Sequence, residues 1–352
     1  MITQEVFGAL GGEAVTAIIL SNKNGVKAKL ITYGARLTEL WVPDRNGALA
    51  DIVLGFDDVD SYVATDTFFG ATCGRYGNRI TNGQFSLEGE AIQLDVNEAP
   101  NHLHGGVDGL DRKNWAFEIN EAANSVAFTC VSPDGEMGFP GKAELRATYT
   151  LGEDNVLRID MEGDVDKHTI LNLVHHSYFN LAGQGSGSVL DQQIHLNSRF
   201  FTPIDDELMP TGEILSVANT PYDFRTLRPI GGEIAKLESV GSGIFGEGGG
   251  YDHNWCLDNA GQSLRPCAEA FDPASGRVMR LETSEPGVQF YTGGYLNTDI
   301  VGKQGLKLCK YAGFTLETQK FPDAPNNAHF PDCELHPGEH YHHTMVFSFS
   351  AR

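Results

Sequence analysis

Apolar and polar residues alternate along much of this chain. In 142–151, Ala143, Leu145, Ala147, Tyr149 and Leu151 fall on one side, and Lys142, Glu144, Arg146 and Thr148 on the other. Residues 156–162 repeat the pattern, with Leu157, Ile159 and Met161 against Arg158, Asp160 and Glu162. A period of two marks half-buried antiparallel strands. Gly152-Glu153-Asp154-Asn155 between them reads as a hairpin turn. Helical spacing is rare; its best example is 231–239, roughly two turns after Pro229. There is no alternation of strands with helices, which argues against a parallel α/β sheet. No linker or low-complexity tract divides the chain. The pattern predicts an all-β protein, one antiparallel β-sandwich domain over residues 1–352. The Gly-rich run 241–250 leads into Tyr251-Asp252-His253-Asn254 and is expected to be a mobile loop at a site.

Composition fits that reading. Hydrophobic residues make up 41%, including 20 Phe and 11 Tyr, enough for a sizeable core. The 41 Gly supply positive φ to the tight turns that many short strands need. The formal net charge of -22 disfavours nucleic acid and anionic membranes as partners and leaves a neutral small molecule unpenalised. The six cysteines form no C-x-x-C pair, the N-terminus lacks a signal-peptide pattern, and no stretch reaches membrane-spanning length. A cytoplasmic protein with reduced thiols is expected.

Polar clusters interrupt the strand pattern at 74–80 (G-R-Y-G-N-R-I), 101–106 (N-H-L-H-G-G), 175–183 (H-H-S-Y-F-N-L-A-G), 251–254 (Y-D-H-N) and 316–323 (L-E-T-Q-K-F-P-D). His175 and His176 are adjacent, so on a strand they face opposite ways. Leu171, Leu173, Phe179 and Leu181 share the side of His175, which reads as core. Asn172, Tyr178 and Asn180 share the side of His176, which reads as ligand-facing. His176 is therefore the functional candidate. Glu317 shares a face with Thr315 and Gln319 near a strand end, a position suited to acid–base work, although an ordinary solvated glutamate fits the spacing too. His102 and His104 are two apart in a loop and could point the same way. Asn78 and Arg79 offer donors to hydroxyls, and Asp252 an acceptor.

Four C-terminal histidines, His336, His340, His342 and His343, raise a metal-dependent, cupin-like reading. His342 and His343 diverge on a strand, and no carboxylate–histidine spacing here matches a known ligand set. No metal is expected.

Taken in order, these five clusters resemble the aldose 1-epimerases, or galactose mutarotases, over residues 74 to 323. N-G-V-K-A-K-L-I-T-Y-G-A-R-L at 24–37 and H-P-G-E at 336–339 resemble the ends of that family. The resemblance implies a galactose-mutarotase-like antiparallel β-supersandwich with an open sugar cleft. It implies His176 as general acid, Glu317 as general base and His104 as a second active-site histidine near the ring oxygen. It implies Asn78, Arg79, Asp252 and Gln289 as sugar-binding residues. Two positions depart from the family: His175 stands where Asn is common, and Gly77 where Ala is usual.

The implied reaction interconverts the α and β anomers of a free aldose such as glucose or galactose. Ring opening and reclosure need one base and one acid, with no metal, nicotinamide or other cofactor. Two alternatives share the scaffold: a sugar-6-phosphate epimerase and a non-catalytic carbohydrate-binding protein. Either a monomer or a homodimer fits.

Overall fold

The computed structural model describes residues 1–237, 249–258 and 263–352. Three antiparallel sheets build most of it. The N-terminal sheet is a five-stranded meander in chain order: Ile2–Leu10, Glu13–Ser21, Lys27–Ile31, Arg36–Pro43 and Leu49–Asp51. A nine-stranded sheet runs Ala116–Asn120, Ser125–Ser132, Ala143–Leu151, Val156–Val165, Tyr341–Ala351, Arg277–Thr283, Arg265–Phe271, Gln193–Leu196 and Arg228–Pro229. A six-stranded sheet runs Tyr178–Phe179, Phe314–Gln319, Gly287–Tyr291, Asp252–Leu257, Ser198–Thr202 and Leu215–Ser216.

The hairpin expected at 142–162 forms, with strands Ala143–Leu151 and Val156–Val165. Its register pairs Ala147 with Met161 and Tyr149 with Ile159 on the buried face, and Arg146 with Glu162 on the other. Asn155 takes the left-handed conformation in the turn, at φ 63°, which Asn tolerates better than most residues. The helical expectation at 231–239 becomes a 3₁₀ helix over Ile230–Lys236. A short α-helix at Val59–Val63 gave no periodic signal; Asp58 caps it by accepting the Ser61 N–H at 2.8 Å. Of the Gly-rich run 241–250, residues 241–248 lie outside the described residues, as does Ser239 of the expected helix.

One apolar core joins the three sheets. Ile18 and Leu37 from the first, Ala147, Met161 and Phe347 from the second, and Trp255, Phe290 and Leu316 from the third belong to a single buried cluster. Polar ties cross between the layers. Arg277 donates to the carbonyls of Val42 (3.0 Å), Ala48 (2.9 Å) and Leu181 (2.9 Å), and Tyr149 donates to Ala35 O at 2.8 Å. The carbonyls of Val42, Leu181 and Ala35 gain there a partner that a purely apolar contact would not supply.

The face assignment around His176 holds for the core side: Leu171, Leu173, Phe179 and Leu181 are buried in this cluster. On the other side only His176 and Tyr178 reach the cleft described below. Asn172 and Asn180 do not. Asn172 donates to Gly77 O (3.0 Å) and accepts the Lys320 N–H (2.9 Å); Asn180 donates to Gly187 O (2.8 Å) and Ala312 O (2.9 Å). The reason is a break in the strand. Val174–His176 pairs with Ala71–Cys73, whereas Tyr178–Phe179 pairs with Phe314 and Thr315. Strict alternation therefore does not persist from 172 to 180.

Candidate active site

The strand Phe314–Gln319 is buried at every residue. Its alternation turns Phe314 and Leu316 into the core and presents Glu317 to a cleft of about 700 Å³. Thr315 Oγ1 donates to Glu317 Oε1 at 2.8 Å. His176, at the end of its own strand, brings Nε2 to 3.4 Å from the same oxygen. Glu317 Oε2 and His176 Nδ1 are buried and have no hydrogen-bond partner. Unpaired polar atoms are costly in a protein interior, so their retention beside a cavity points to a ligand that pairs with them.

Burial governs the protonation of this pair. It pushes the Glu317 carboxyl up to about 8, with Thr315's hydrogen bond opposing and the nearby Asp252 charge adding to the rise. It pushes His176 down to about 3. Between those values the two groups hold one proton between them, and their order puts it on Glu317.

His104 completes a triangle of donors. One atom each from His104, His176 and Glu317 lie within 4.8 Å of one another, close enough to hold one ion. His104 sits in a left-handed turn at φ 50°, followed by Gly105 and Gly106 at φ 98° and 94°. A Cβ on Gly105 would lie 1.8 Å from Gly74 O, so this turn demands glycine. His104 Nδ1 accepts the Asn78 N–H at 3.1 Å, which assigns the ring proton to Nε2. His102 parts from it: its Nδ1 meets Asp95 O at 2.7 Å and its ring packs edge-on against Phe139. The turn at His104 is why residues two apart do not point the same way.

All seven residues singled out in the sequence line the one cleft: Asn78, Arg79, His104, His176, Asp252, Gln289 and Glu317. Arg79 grips Glu98 through Nε (2.5 Å) and Nη2 (2.9 Å). Gln289 donates to Asp252 Oδ1 at 2.7 Å, and burial raises the Asp252 carboxyl while Arg79 opposes the rise.

Several contributors escaped the sequence reading. Phe68 lies over both histidines, its ring 4.8 Å from that of His104 and 5.6 Å from that of His176. Tyr291 and Tyr295 line the cleft beside Tyr178, which the sequence places on the face of His176. Gln319 lies behind it and links its halves, donating to Gln289 Oε1 (3.3 Å) and Asn254 Oδ1 (3.2 Å) and accepting from Asn78 Nδ2 (3.3 Å). For Gln319 a signal existed, since it shares the face of Glu317. For Phe68, in a turn at φ 55°, none did.

The two departures have local explanations. A Cβ at Gly77 would stand 2.5 Å from Val174 Cγ1, so the larger neighbour fills the space of the usual alanine. His175 faces away from the cleft, with Nε2 2.7 Å from Ser177 Oγ and Nδ1 3.3 Å from Tyr149 OH. Burial pushes it down to about 3 and keeps it neutral. The C-terminal histidines scatter. His343 is buried against Thr318 Oγ1, His342 and His340 meet Asp160 and Asp164, and His336 stacks on His168.

A sequence family described as aldose 1-epimerase matches residues 16–348. Galactose mutarotase of Bos taurus is 41% identical over 99% of this chain and 98% of its own length. Aldose 1-epimerase of Haemophilus influenzae is 37% identical over 93% of each. The solved structure of an aldose epimerase homologue from C. elegans superposes with a TM-score of 0.87 at 31% identity, covering 96% of this chain and 99% of that one. With a family model matched over nearly its whole length and relatives about 40% identical across 99% of it, the chain belongs to the aldose 1-epimerase family.

Proposed function

We propose that this protein interconverts the α and β anomers of free aldoses, glucose and galactose among them, with Glu317 as base and His176 as acid. The observation that carries this reading is the buried pair itself. Its members are 3.4 Å apart, each keeps an unpaired polar atom, and both line a sugar-sized cleft. Glu317 takes the proton of the C1 hydroxyl. His176 delivers a proton to the ring oxygen O5 as the C1–O5 bond breaks. The aldehyde turns about C1–C2, and the reverse transfers close the ring on its other face. Ring opening starts from a carboxylate and an imidazolium and ends with a carboxylic acid and an imidazole. The proton on Glu317 must therefore move to His176 before the ring opens, and the 3.4 Å separation leaves it a short path.

His104, donating through Nε2, serves the ring-oxygen side, and Asn78, Arg79, Asp252 and Gln289 hold the hydroxyls. The arginines of the cleft disfavour a sugar phosphate. Arg79 is paired with Glu98 and Arg112 with Asp66, so neither is left without a counter-charge. Residues 1–352 are taken to act as one domain, a cytoplasmic monomer or homodimer. Supporting the first is the core shared by all three large sheets; supporting the second, the six free cysteines.

Polarimetry of freshly dissolved α-galactose and α-glucose tests the activity after subtraction of the spontaneous rate. A rate equal to the buffer blank across hexoses and pentoses would leave a sugar-binding protein instead.

A further inference from the structure

Away from the cleft, His168 gathers a second set of donors. A short ladder pairs Thr169 with Leu335 and Ile170 with Glu334. The next step of that register sets His168 beside His336, and the rings stack with centroids 3.8 Å apart and planes 19° apart. Glu334 precedes His336 by two residues, so strand geometry puts both on one face. Glu88 reaches in from the turn between strands Gln84–Leu87 and Glu90–Gln93. The His168 side chain, 12% exposed, lies among them. Its Nδ1 is 2.9 Å from Glu88 Oε1, and its Nε2 is 2.8 Å from Glu334 Oε2.

A neutral imidazole carries one N–H and can serve only one of these carboxylates. If Nδ1–H is held by Glu88, Nε2 turns a lone pair toward a carboxylate oxygen. Two acceptors at that distance repel unless a cation lies with them. His336 stands at the same place: one donor atom each from His168, Glu334 and His336 fall within 4.8 Å of one another.

We infer that this cluster binds a divalent transition metal of the zinc class, through His168 Nε2, one ring nitrogen of His336 and a Glu334 oxygen. Two imidazoles and a carboxylate form a donor set that suits zinc. Glu88, holding the far N–H of a ligating histidine, is the outer partner that fixes tautomer and ring orientation. Ligands at about 2.0–2.1 Å around a tetrahedral ion stand roughly 3.3 Å apart. His168 and Glu334 therefore have to separate slightly, which the partly exposed Glu334 side chain allows, and the exposed His336 ring has to turn out of its stack so that both lone pairs meet at the ion. The ion would clamp the strand Glu334–Leu335 to the segment entering Thr169. None of the four residues lines the cleft, so the site is structural and separate from the reaction.

The test is calorimetric titration of metal-stripped protein with zinc, with cobalt absorption as a second readout. The expected result is one zinc ion at this cluster and a tetrahedral cobalt spectrum. His336→Ala and Glu334→Gln should remove both signals, and Glu88→Gln should weaken binding by roughly 10- to 100-fold. His340→Ala, which alters an exposed histidine beside Asp164, should change neither. Zinc should raise the melting temperature of the unaltered protein and not that of His336→Ala. Unchanged circular dichroism and mutarotation of the variant would show that it is folded. If binding survives His336→Ala and Glu334→Gln and zinc blocks mutarotation, the ion sits on His104, His176 and Glu317, and the inference fails. If no zinc binds, the inference fails as well.

Discussion

His176 Nε2 stands 3.4 Å from Glu317 Oε1, and burial pushes the two groups in opposite directions, the acid down to about 3 and the base up to about 8. Their ordinary values lie in the reverse order. What matters for the reaction is then the proton count of the pair, which is one across the whole interval, rather than the charge of either member. Moving that one proton from carboxyl to imidazole produces the form that opens the ring.

The pH dependence follows. Blank-corrected kcat/KM should be flat through neutrality and fall about tenfold per pH unit above roughly 8, where the pair loses its last proton. A carboxylate base titrating alone would give the opposite slope, with activity rising as pH passes through its pKa. A pH–rate series on the free protein distinguishes the two, and a rise through pH 8 would sink the shared-proton account.

Replacing the base separates binding from turnover. In Glu317→Gln the amide keeps the volume and still hydrogen-bonds the C1 hydroxyl, but cannot take its proton. Sugar affinity by calorimetry should stay near normal, since Asn78, Arg79, Asp252 and Gln289 are untouched. Turnover should drop by about two to four orders of magnitude. Near-normal turnover would move attention to Asp252, the other carboxylate with a raised value in the cleft.

The same variant should gain stability. The folded Glu317 carboxyl titrates near 8, above its ordinary 4.5. It stays protonated inside while the unfolded chain ionises. Its contribution is whole below the unfolded value and is lost as pH rises through the folded one. Glu317→Gln is neutral throughout, so its melting temperature should exceed that of the parent by a margin that widens between about pH 4.5 and 8 and is constant above. Thermal melts at about pH 4 and about pH 9 check the sign; equal margins at both would mean that the carboxyl titrates normally.

His175 and His176 should prove unequal. His176→Asn removes the acid and should nearly abolish mutarotation. His175→Asn leaves the cleft intact and should keep most of the rate. It loses the 2.7 Å contact with Ser177, at a cost of about 1 kcal/mol of stability. Comparable rate losses in the two variants would contradict the orientation seen here.

Alternation alone predicted the hairpin at 143–165 and the core side of 171–181, because burial on one face of a sheet leaves a period of two. It misplaced Asn172 and Asn180, because the chain changes partner strand after His176 and pattern carries no information on pairing. Six of the seven cleft residues came from ordered motifs, each of which was a weak signal alone, and Gln289 came only with the family resemblance. Phe68 and Glu98 could not be found that way: one acts by packing over histidines distant in the chain, the other by an ion pair to Arg79. The C-terminal histidines were weighed as one set, whereas His336 finds its neighbour, His168, across the fold, and His168 in turn meets Glu88.

Gln319 offers the sharpest test of how the sugar-binding residues are held. Asp252 is an acceptor, so Gln289 must turn its amide nitrogen toward it. Gln289 Oε1 then accepts from Gln319 Nε2, and Gln319 Oε1 accepts from Asn78 Nδ2. Asn78 Oδ1 in turn accepts the Arg79 N–H at 2.9 Å, and the Asn78 N–H serves His104. One carboxylate thus sets the direction of every amide between Asp252 and Arg79. Gln319→Met keeps length and volume but breaks this chain in the middle, leaving the Gln289 amide held by Asp252 alone and the Asn78 amide by the Arg79 N–H alone. Neither His176 nor Glu317 bonds to Gln319, so the acid–base pair should persist. With about 1 kcal/mol at stake in each of the lost bonds, KM should rise by roughly ten- to a hundredfold while kcat changes by much less. Steady-state mutarotation kinetics read that split directly. A loss confined to kcat, or a fall in melting temperature with KM unchanged, would show that Gln319 supports the fold and not the orientation of the hydroxyl-binding groups.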